Sequence, residues 1–156
     1  MTSDVEAIGH LFCQSGSCLV TAESCTGGRI ASLVTRIAGA SSWYLGGWVT
    51  YSNEMKNTQL GVPEEMLQAH GAVSSQVAEA MCEGARRSSG ATVALSTTGI
   101  AGPDGGTGEK PVGTVFVGCA APSGTEVMRF LFSGTREEVQ EQAVVAAMQL
   151  LRKTIS

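Results

Sequence analysis

Long apolar runs are missing from this chain, and no segment approaches the ~18 consecutive apolar residues that a membrane-spanning helix needs. The opening stretch Met1 to His10 carries Asp4 and Glu6 but no Lys or Arg. That pattern fits neither a secretory signal nor an organellar transit peptide, so a cytoplasmic protein without a membrane partner is expected. Charge is also scarce, at 15% of residues, and 10 basic side chains against 14 acidic ones leave a net charge of −4. No general basic field is available to attract nucleic acid. The two histidines, His10 and His70, lie far apart in the chain. A zinc site needs three or four convergent ligands, so no metal and no other cofactor is expected. Five cysteines (Cys13, Cys18, Cys25, Cys82 and Cys119) make an odd set with no C-x-x-C spacing. Reduced thiols are expected rather than a disulfide framework.

What is present is material for one folded unit spanning 1–156. Apolar residues make up 43% of the chain, too many for intrinsic disorder. For the mass of 16.1 kDa, surface scaling predicts roughly 7,400 Å² when folded against about 23,000 Å² unfolded. Glycine is the excess, with 20 residues, roughly twice the usual ~7% share, which implies loops where backbone approaches something closely.

Val5, Ile8, Leu11 and Phe12 follow helical spacing over about Ser3–Ser15, with Gly16 as a stop. Cys18–Ala22 is a first strand, and Ile30, Leu33, Val34 and Ile37 resume the helical period up to Gly39. Trp48–Tyr51 reads as a second strand, followed by helical stretches over Asn53–Leu60 and from Pro63 to His70. Ser74 caps a helix whose face is Val77, Ala80, Met81, Gly84 and Ala85. Ala91–Thr97 is a third strand, running into a Gly/Pro loop from Gly99 to Gly113. Thr114–Cys119 and Thr125–Phe132 form a hairpin about Pro122-Ser123-Gly124. Thr135 with Glu138 makes a capping box for a closing helix. The expected fold is α/β: a three-layer α/β/α single domain with a mixed β-sheet.

Three segments could carry chemistry. Ala22-Glu23-Ser24-Cys25-Thr26-Gly27-Gly28 lies on a strand-to-helix turn, where free N–H groups and the helix dipole suit a phosphate, a carboxylate or an oxyanion. The plainer reading is an N-cap with glycines for tight packing. In Thr50-Tyr51-Ser52-Asn53-Glu54-Met55-Lys56, the lysine is either a solvated surface charge or, if folding sets it beside Ser24, a base that activates the hydroxyl. The loop Thr97 to Gly106 follows the third strand, where open α/β sheets place ligands, yet it matches neither nucleotide fingerprint. Trp43, Tyr44, Trp48 and Tyr51 include every Trp and Tyr in the chain. They read as core packing for at least two of them, or as a stacking face or subunit interface.

Taken in order, AESCTGG, GWVTYSNEMK, HGAVS, TGIAGPDGG, KPVGTVFVG and FSGTRE resemble the nicotinamide-nucleotide amidohydrolase family. That family is also known as the C-terminal domain of the competence/damage-inducible protein CinA. The resemblance runs from about Val20 to the closing helix. It implies a Ser-Lys amidohydrolase converting nicotinamide mononucleotide to nicotinate mononucleotide and ammonia, in a stand-alone form without the larger N-terminal domain many such proteins carry. The family's nucleophile falls on Ser24 and its lysine on Lys56. Cys25, Thr26 and Gly27 become candidates for the oxyanion and substrate contacts, together with Tyr51, Thr98, Gly99 and Arg136. A homodimer or higher homo-oligomer is expected. Two rival readings stay open: a thiol amidase using Cys25, placed at a helix N-terminus, and a non-catalytic nucleotide-binding or regulatory module.

Overall fold

The computed structural model describes residues 1–156. Its accessible surface is 7351 Å², close to the scaling expectation. Helix α1 (Thr2–Ser15) turns Val5, Ile8 and Phe12 inward and stops at Gly16 in the left-handed conformation, φ 69°. Strand β1 (Leu19–Glu23) is buried at every position, as a parallel strand covered on both faces must be. It is followed by α2 (Arg29–Thr35), a 3₁₀ turn (Ala40–Ser42), β2 (Tyr44–Val49), α3 (Asn53–Leu60), α4 (Glu64–His70) and α5 (Ser75–Ser89). Strands β3 (Val93–Gly99), β4 (Thr114–Ala121) and β5 (Gly124–Leu131) precede the closing helix α6 (Arg136–Ile155).

The five strands form one sheet in the order β2-β1-β3-β4-β5. β1 is parallel to both β2 and β3, whereas β4 and β5 run antiparallel to their neighbours. Helices α1, α2 and α6 cover one face through Phe12, Ile30, Val34 and Leu151 over Leu19, Leu95 and Val117. Helices α3, α4 and α5 cover the other through Leu60, Leu67 and Met81 over Val20, Ala22 and Ala94. This is the expected three-layer α/β/α arrangement with a mixed sheet. The β1-to-β2 connection crosses one face and the β2-to-β3 connection crosses the other. Such a reversal opens a crevice at the carboxyl ends of the parallel strands.

Some expected boundaries move. The second strand is Tyr44–Val49 rather than Trp48–Tyr51, because the strand already runs through Gly46-Gly47. A side chain at Gly47 would sit 2.2 Å from Thr21 Oγ1, so glycine is what lets β2 lie against β1. Tyr51 falls outside the strand, and α2 ends at Thr35, short of Gly39. The third strand starts at Val93 and reaches Gly99. Pro63 is the N-cap of α4 rather than its first turn. Thr135 caps α6 by accepting the Glu138 N–H at 3.2 Å, which is the forward half of a capping box. Trp43 is 2% exposed and stacks on Phe12 with ring centroids 5.4 Å apart. Tyr44 is buried with its hydroxyl 2.7 Å from Thr21 Oγ1. These two aromatics belong to the core and offer no subunit interface.

Helix α3 reaches the crevice because α5 lets it in. A Cβ on Gly84 would lie 1.9 Å from the Leu60 carbonyl oxygen at the end of α3. Gly84→Ala gains about 1 kcal/mol of helix propensity but must push α3 aside, an overpacking cost of about 1–3 kcal/mol. Urea unfolding should show a net loss of stability. An unchanged midpoint would mean that α5 does not set the position of α3.

Candidate active site

Ser24 directly follows β1, and its N–H donates to the Thr97 carbonyl of β3 at 3.0 Å. Strand pairing therefore continues one residue past β1 and pins the serine backbone. Lys56 approaches from the opposite face on α3. That helix is capped by Ser52 Oγ, which accepts the Met55 N–H at 3.1 Å, and it closes at Gly61 in the left-handed conformation, φ 70°. Lys56 is 1% exposed. Its Nζ donates to the Thr50 carbonyl at 2.8 Å, the Tyr51 carbonyl at 3.0 Å and Ser24 Oγ at 2.9 Å. Burial disfavours the cation and brings the amine down from 10.5 to about 8.

The two carbonyls give this geometry its chemical meaning. They accept two N–H bonds whether the amine is charged or neutral. The third position on nitrogen faces Ser24, as an N–H in the ammonium and as a lone pair in the free amine. Loss of one proton converts a donor to the serine into a base aimed at its hydroxyl.

Cys25 is built differently. Its side chain belongs to the apolar core with Ile30 and Val34. Burial pushes its thiol up to about 12, with the nearby Glu23 carboxylate adding to the rise. The Cys25 N–H, Lys56 and Thr97 oppose that rise less strongly. The helix N-terminus gives the thiol no relief, because the carboxylate of Glu23 occupies it. That side chain accepts the Ile30 N–H at 3.0 Å and the Ala31 N–H at 3.1 Å. The expectation that the first amides of α2 are open to a ligand is therefore corrected.

Two more expected contacts are internal. The Thr26 hydroxyl is buried and donates to Glu23 Oε1 at 2.6 Å, and the Gly27 N–H donates to the Ser24 carbonyl at 3.1 Å. The Cys25 and Thr26 N–H groups make no hydrogen bond to another residue. Of the two residues, Cys25 lines the cleft and Thr26 is fully buried.

Ser24, Cys25 and Lys56 form one end of a cleft of about 300 Å³ that Tyr51, Thr98, Gly99 and Arg136 also line. Its volume is at the lower end of the roughly 300–1,000 Å³ usual for small-molecule sites. The Thr98 hydroxyl donates to the Ala72 carbonyl at 2.8 Å. Arg136 donates through Nη1 to the Gly102 carbonyl at 2.6 Å and through Nη2 to the Tyr51 hydroxyl at 3.1 Å. The Tyr51 side chain stands out at the rim, 65% exposed.

Ala72, Val73, Asp104 and Gly105 also line the cleft; the last two lie in the candidate loop Thr97 to Gly106, whereas residue-level reasoning did not single out Ala72 and Val73. All four lie in the HGAVS and TGIAGPDGG blocks, which was the available signal. Glu23 was missed although it stands beside the serine in AESCTGG. Gln140 had no signal at all. It is nearly buried on α6 and donates to the Cys25 carbonyl at 3.0 Å, across most of the chain.

The serine and the buried lysine meet at the carboxyl ends of the parallel strands of an open α/β sheet, where such folds commonly place ligands. Comparison with known proteins makes the family specific. The model of the CinA C-terminal domain family matches residues 2–155. A CinA-like protein of Geotalea uraniireducens is 50% identical over 148 residues, covering 95% of this chain and 35% of that relative. A CinA-like protein of Geobacter sp. strain M21 is 54% identical over 135 residues, covering 86% and 33% respectively. The crystal structure of the competence/damage inducible protein CihA from Agrobacterium tumefaciens is 40% identical with a TM-score of 0.93, covering 99% of this chain and 95% of that one. This chain belongs to the CinA C-terminal domain family. It spans about a third of the length of the curated relatives it matches.

The cysteines provide a direct check on the site. Iodoacetamide at pH 8 should alkylate exposed Cys13 first and half-buried Cys18 next. Cys25, pushed up to about 12, should stay unmodified in the folded protein, as read by peptide mass spectrometry. Rapid labelling of Cys25 would return it to consideration as a nucleophile.

Proposed function

We propose that the chain hydrolyses the carboxamide of nicotinamide mononucleotide, giving nicotinate mononucleotide and ammonia, with Ser24 as nucleophile and Lys56 as general base and acid. The observation that carries this reading is the 2.9 Å contact between Lys56 Nζ and Ser24 Oγ, with two main-chain carbonyls fixing the amine. The family match and the resemblance of the AESCTGG and GWVTYSNEMK blocks support the choice of substrate.

Ser24 Oγ attacks the carboxamide carbon while its proton passes to Lys56 Nζ. The oxygen of the tetrahedral intermediate lies toward the Cys25 and Thr26 amides. Lys56 returns the proton to the leaving nitrogen, the C–N bond breaks, and ammonia departs from a serine ester. Water then attacks the ester, Lys56 takes its proton and returns it to Ser24 Oγ, and the carboxylic acid leaves. Thr98 and Gly99 border the ring, while Arg136 and Tyr51 at the rim meet the phosphate.

The cleft also carries opposite charges that do not cancel. Arg136 donates to neutral acceptors, and no ion pair joins it to Asp104, since all three ion pairs lie elsewhere. A ligand with a phosphate at one end and a cationic ring at the other complements such a cleft. The thiol-amidase reading loses support from the buried Cys25. The non-catalytic reading is separated by incubating the protein with nicotinamide mononucleotide and measuring ammonia.

With Lys56 at about 8, about a tenth of it is the free amine at pH 7. Because the free amine is the base, kcat/KM should rise about tenfold per pH unit on the acid side and level off near pH 8. Lys56→Arg keeps a cation but cannot deprotonate, so it should lose at least ~10²-fold in kcat, as should Ser24→Ala. Cys25→Ser should retain most activity. Near-normal turnover by Lys56→Arg in steady-state assays would remove the lysine from the base role.

A homodimer or higher homo-oligomer is also proposed, on a basis other than Trp43 and Tyr44. Strand β2 is a sheet edge and exposes Leu45 and Val49, the kind of edge that pairs with another copy. Light scattering at micromolar concentration should give a mass of at least twice 16.1 kDa. A monomeric particle would end the idea.

A further inference from the structure

The buried acid beside the nucleophile has no part in the chemistry above. Glu23 is 1% exposed, and its carboxylate gathers three donors: Thr26 Oγ1 at 2.6 Å, the Ile30 N–H at 3.0 Å and the Ala31 N–H at 3.1 Å. The Thr26 proton is committed to Glu23, so the 2.8 Å contact between Thr26 and Thr97 must be donated by Thr97. The Thr97 carbonyl in turn accepts the Ser24 N–H at 3.0 Å. A closed ring results, from Ser24 to Thr97, to Thr26, to Glu23 and back to Ser24 through the peptide bond. The Glu23 carbonyl also accepts the Thr50 N–H at 2.9 Å, and Thr50 is one of the two residues whose carbonyls hold Lys56.

We infer that Glu23 is a positioning residue, which with Thr26 and Thr97 holds the Ser24 turn so that Ser24 Oγ stays against Lys56 and the Cys25 and Thr26 amides stay without a partner in the protein. The inference rests on the reading of Ser24 as nucleophile. A simple helix cap would need only the two α2 amides. Here the same carboxylate reaches Thr26 inside the turn and, through it, the neighbouring strand. The arrangement depends on an acceptor-only group, because all three partners are donors. An amide in its place would set an N–H against one of them.

The test compares Glu23→Gln and Thr97→Val with the unsubstituted protein by amide hydrogen exchange without substrate, and by steady-state kinetics on nicotinamide mononucleotide. Thr97→Val keeps the strand and the main-chain bond to Ser24, and it removes only the hydroxyl link. In both variants the Ser24 amide, bonded to the Thr97 carbonyl, should exchange at least tenfold faster, while those of β4 and α5 are unchanged. In both, kcat should fall at least tenfold with KM within threefold. If Glu23→Gln fails to fold, Thr97→Val decides alone. The inference is overturned if Ser24 amide exchange is unaltered, or if all amides speed up together, as a purely structural cap requires. It is likewise overturned if kcat stays within twofold. Unsubstituted protein that releases no ammonia, with exchange still altered in the variants, would discard the proposed reaction and keep the positioning role.

Discussion

A lysine buried to 1% exposure has to be given partners, and much of this molecule can be derived from how that is done. An ammonium taken from water without compensation costs several kcal/mol even after the surroundings relax. The compensation is two carbonyls just past β2, at Thr50 and Tyr51, and one hydroxyl just past β1. For those groups to converge, β1 and β2 must be parallel neighbours that end together, and α3 must begin at once. Ser52 starts the helix and Gly84 lets it settle onto α5. No carboxylate is offered as the partner. A carboxylate would hold the lysine as a cation, whereas carbonyl dipoles tolerate both forms and leave its proton available.

The same economy runs through the whole chain. Six of the ten basic side chains donate to main-chain carbonyls: Arg29, Lys56, Arg86, Lys110, Arg129 and Arg136. Two others, Arg152 and Lys153, are in exposed ion pairs, which contribute little. Three of the six fasten the long loop after β3. Lys110 reaches the His70 carbonyl, Arg129 the Glu109 carbonyl and Arg136 the Gly102 carbonyl. A glycine-rich loop is costly to order, and these charge-assisted bonds to three different parts of the fold are what hold it as a cleft wall. The scarcity of charge thus has a structural counterpart, with cations ordering backbone rather than decorating a surface.

How much of this was legible in the sequence depended on the range of the interaction. The α1 stop at Gly16, the Ser74 cap and the hairpin at Pro122-Ser123 are local, and local residues announced them. The expected second strand starts too late, at Trp48, because nothing near Gly46-Gly47 reveals that Thr21, on another strand, fills the space a side chain would need. That at least two of the four clustered aromatics pack in the core was legible, but not that they are Trp43 and Tyr44, because the stacking partner of Trp43, Phe12, is on a distant helix. Lys56 could be singled out only through the motif it ends. By composition it is a surface lysine, and its burial is a property of three segments meeting. Glu23 was invisible for the same reason, since an acid at a strand end ordinarily faces water.

Our reading of Ser24 rather than the adjacent Cys25 as the nucleophile rests on which residue meets the lysine. Intrinsic nucleophilicity favours sulfur, and a thiol beside a helix N-terminus would ordinarily lose its proton easily. Here Glu23 occupies that N-terminus with an anion of its own, and the Cys25 side chain is turned into the apolar core. The thiol therefore meets low polarity and a like charge where it would need an electropositive setting. Ser24 has the weaker nucleophile but faces an amine whose proton is loosely held and whose other bonds are fixed. On a turn this tight, placing the hydroxyl against Lys56 and the thiol in the core is a single conformational choice. The Glu23, Thr26 and Thr97 ring is what holds that choice in place.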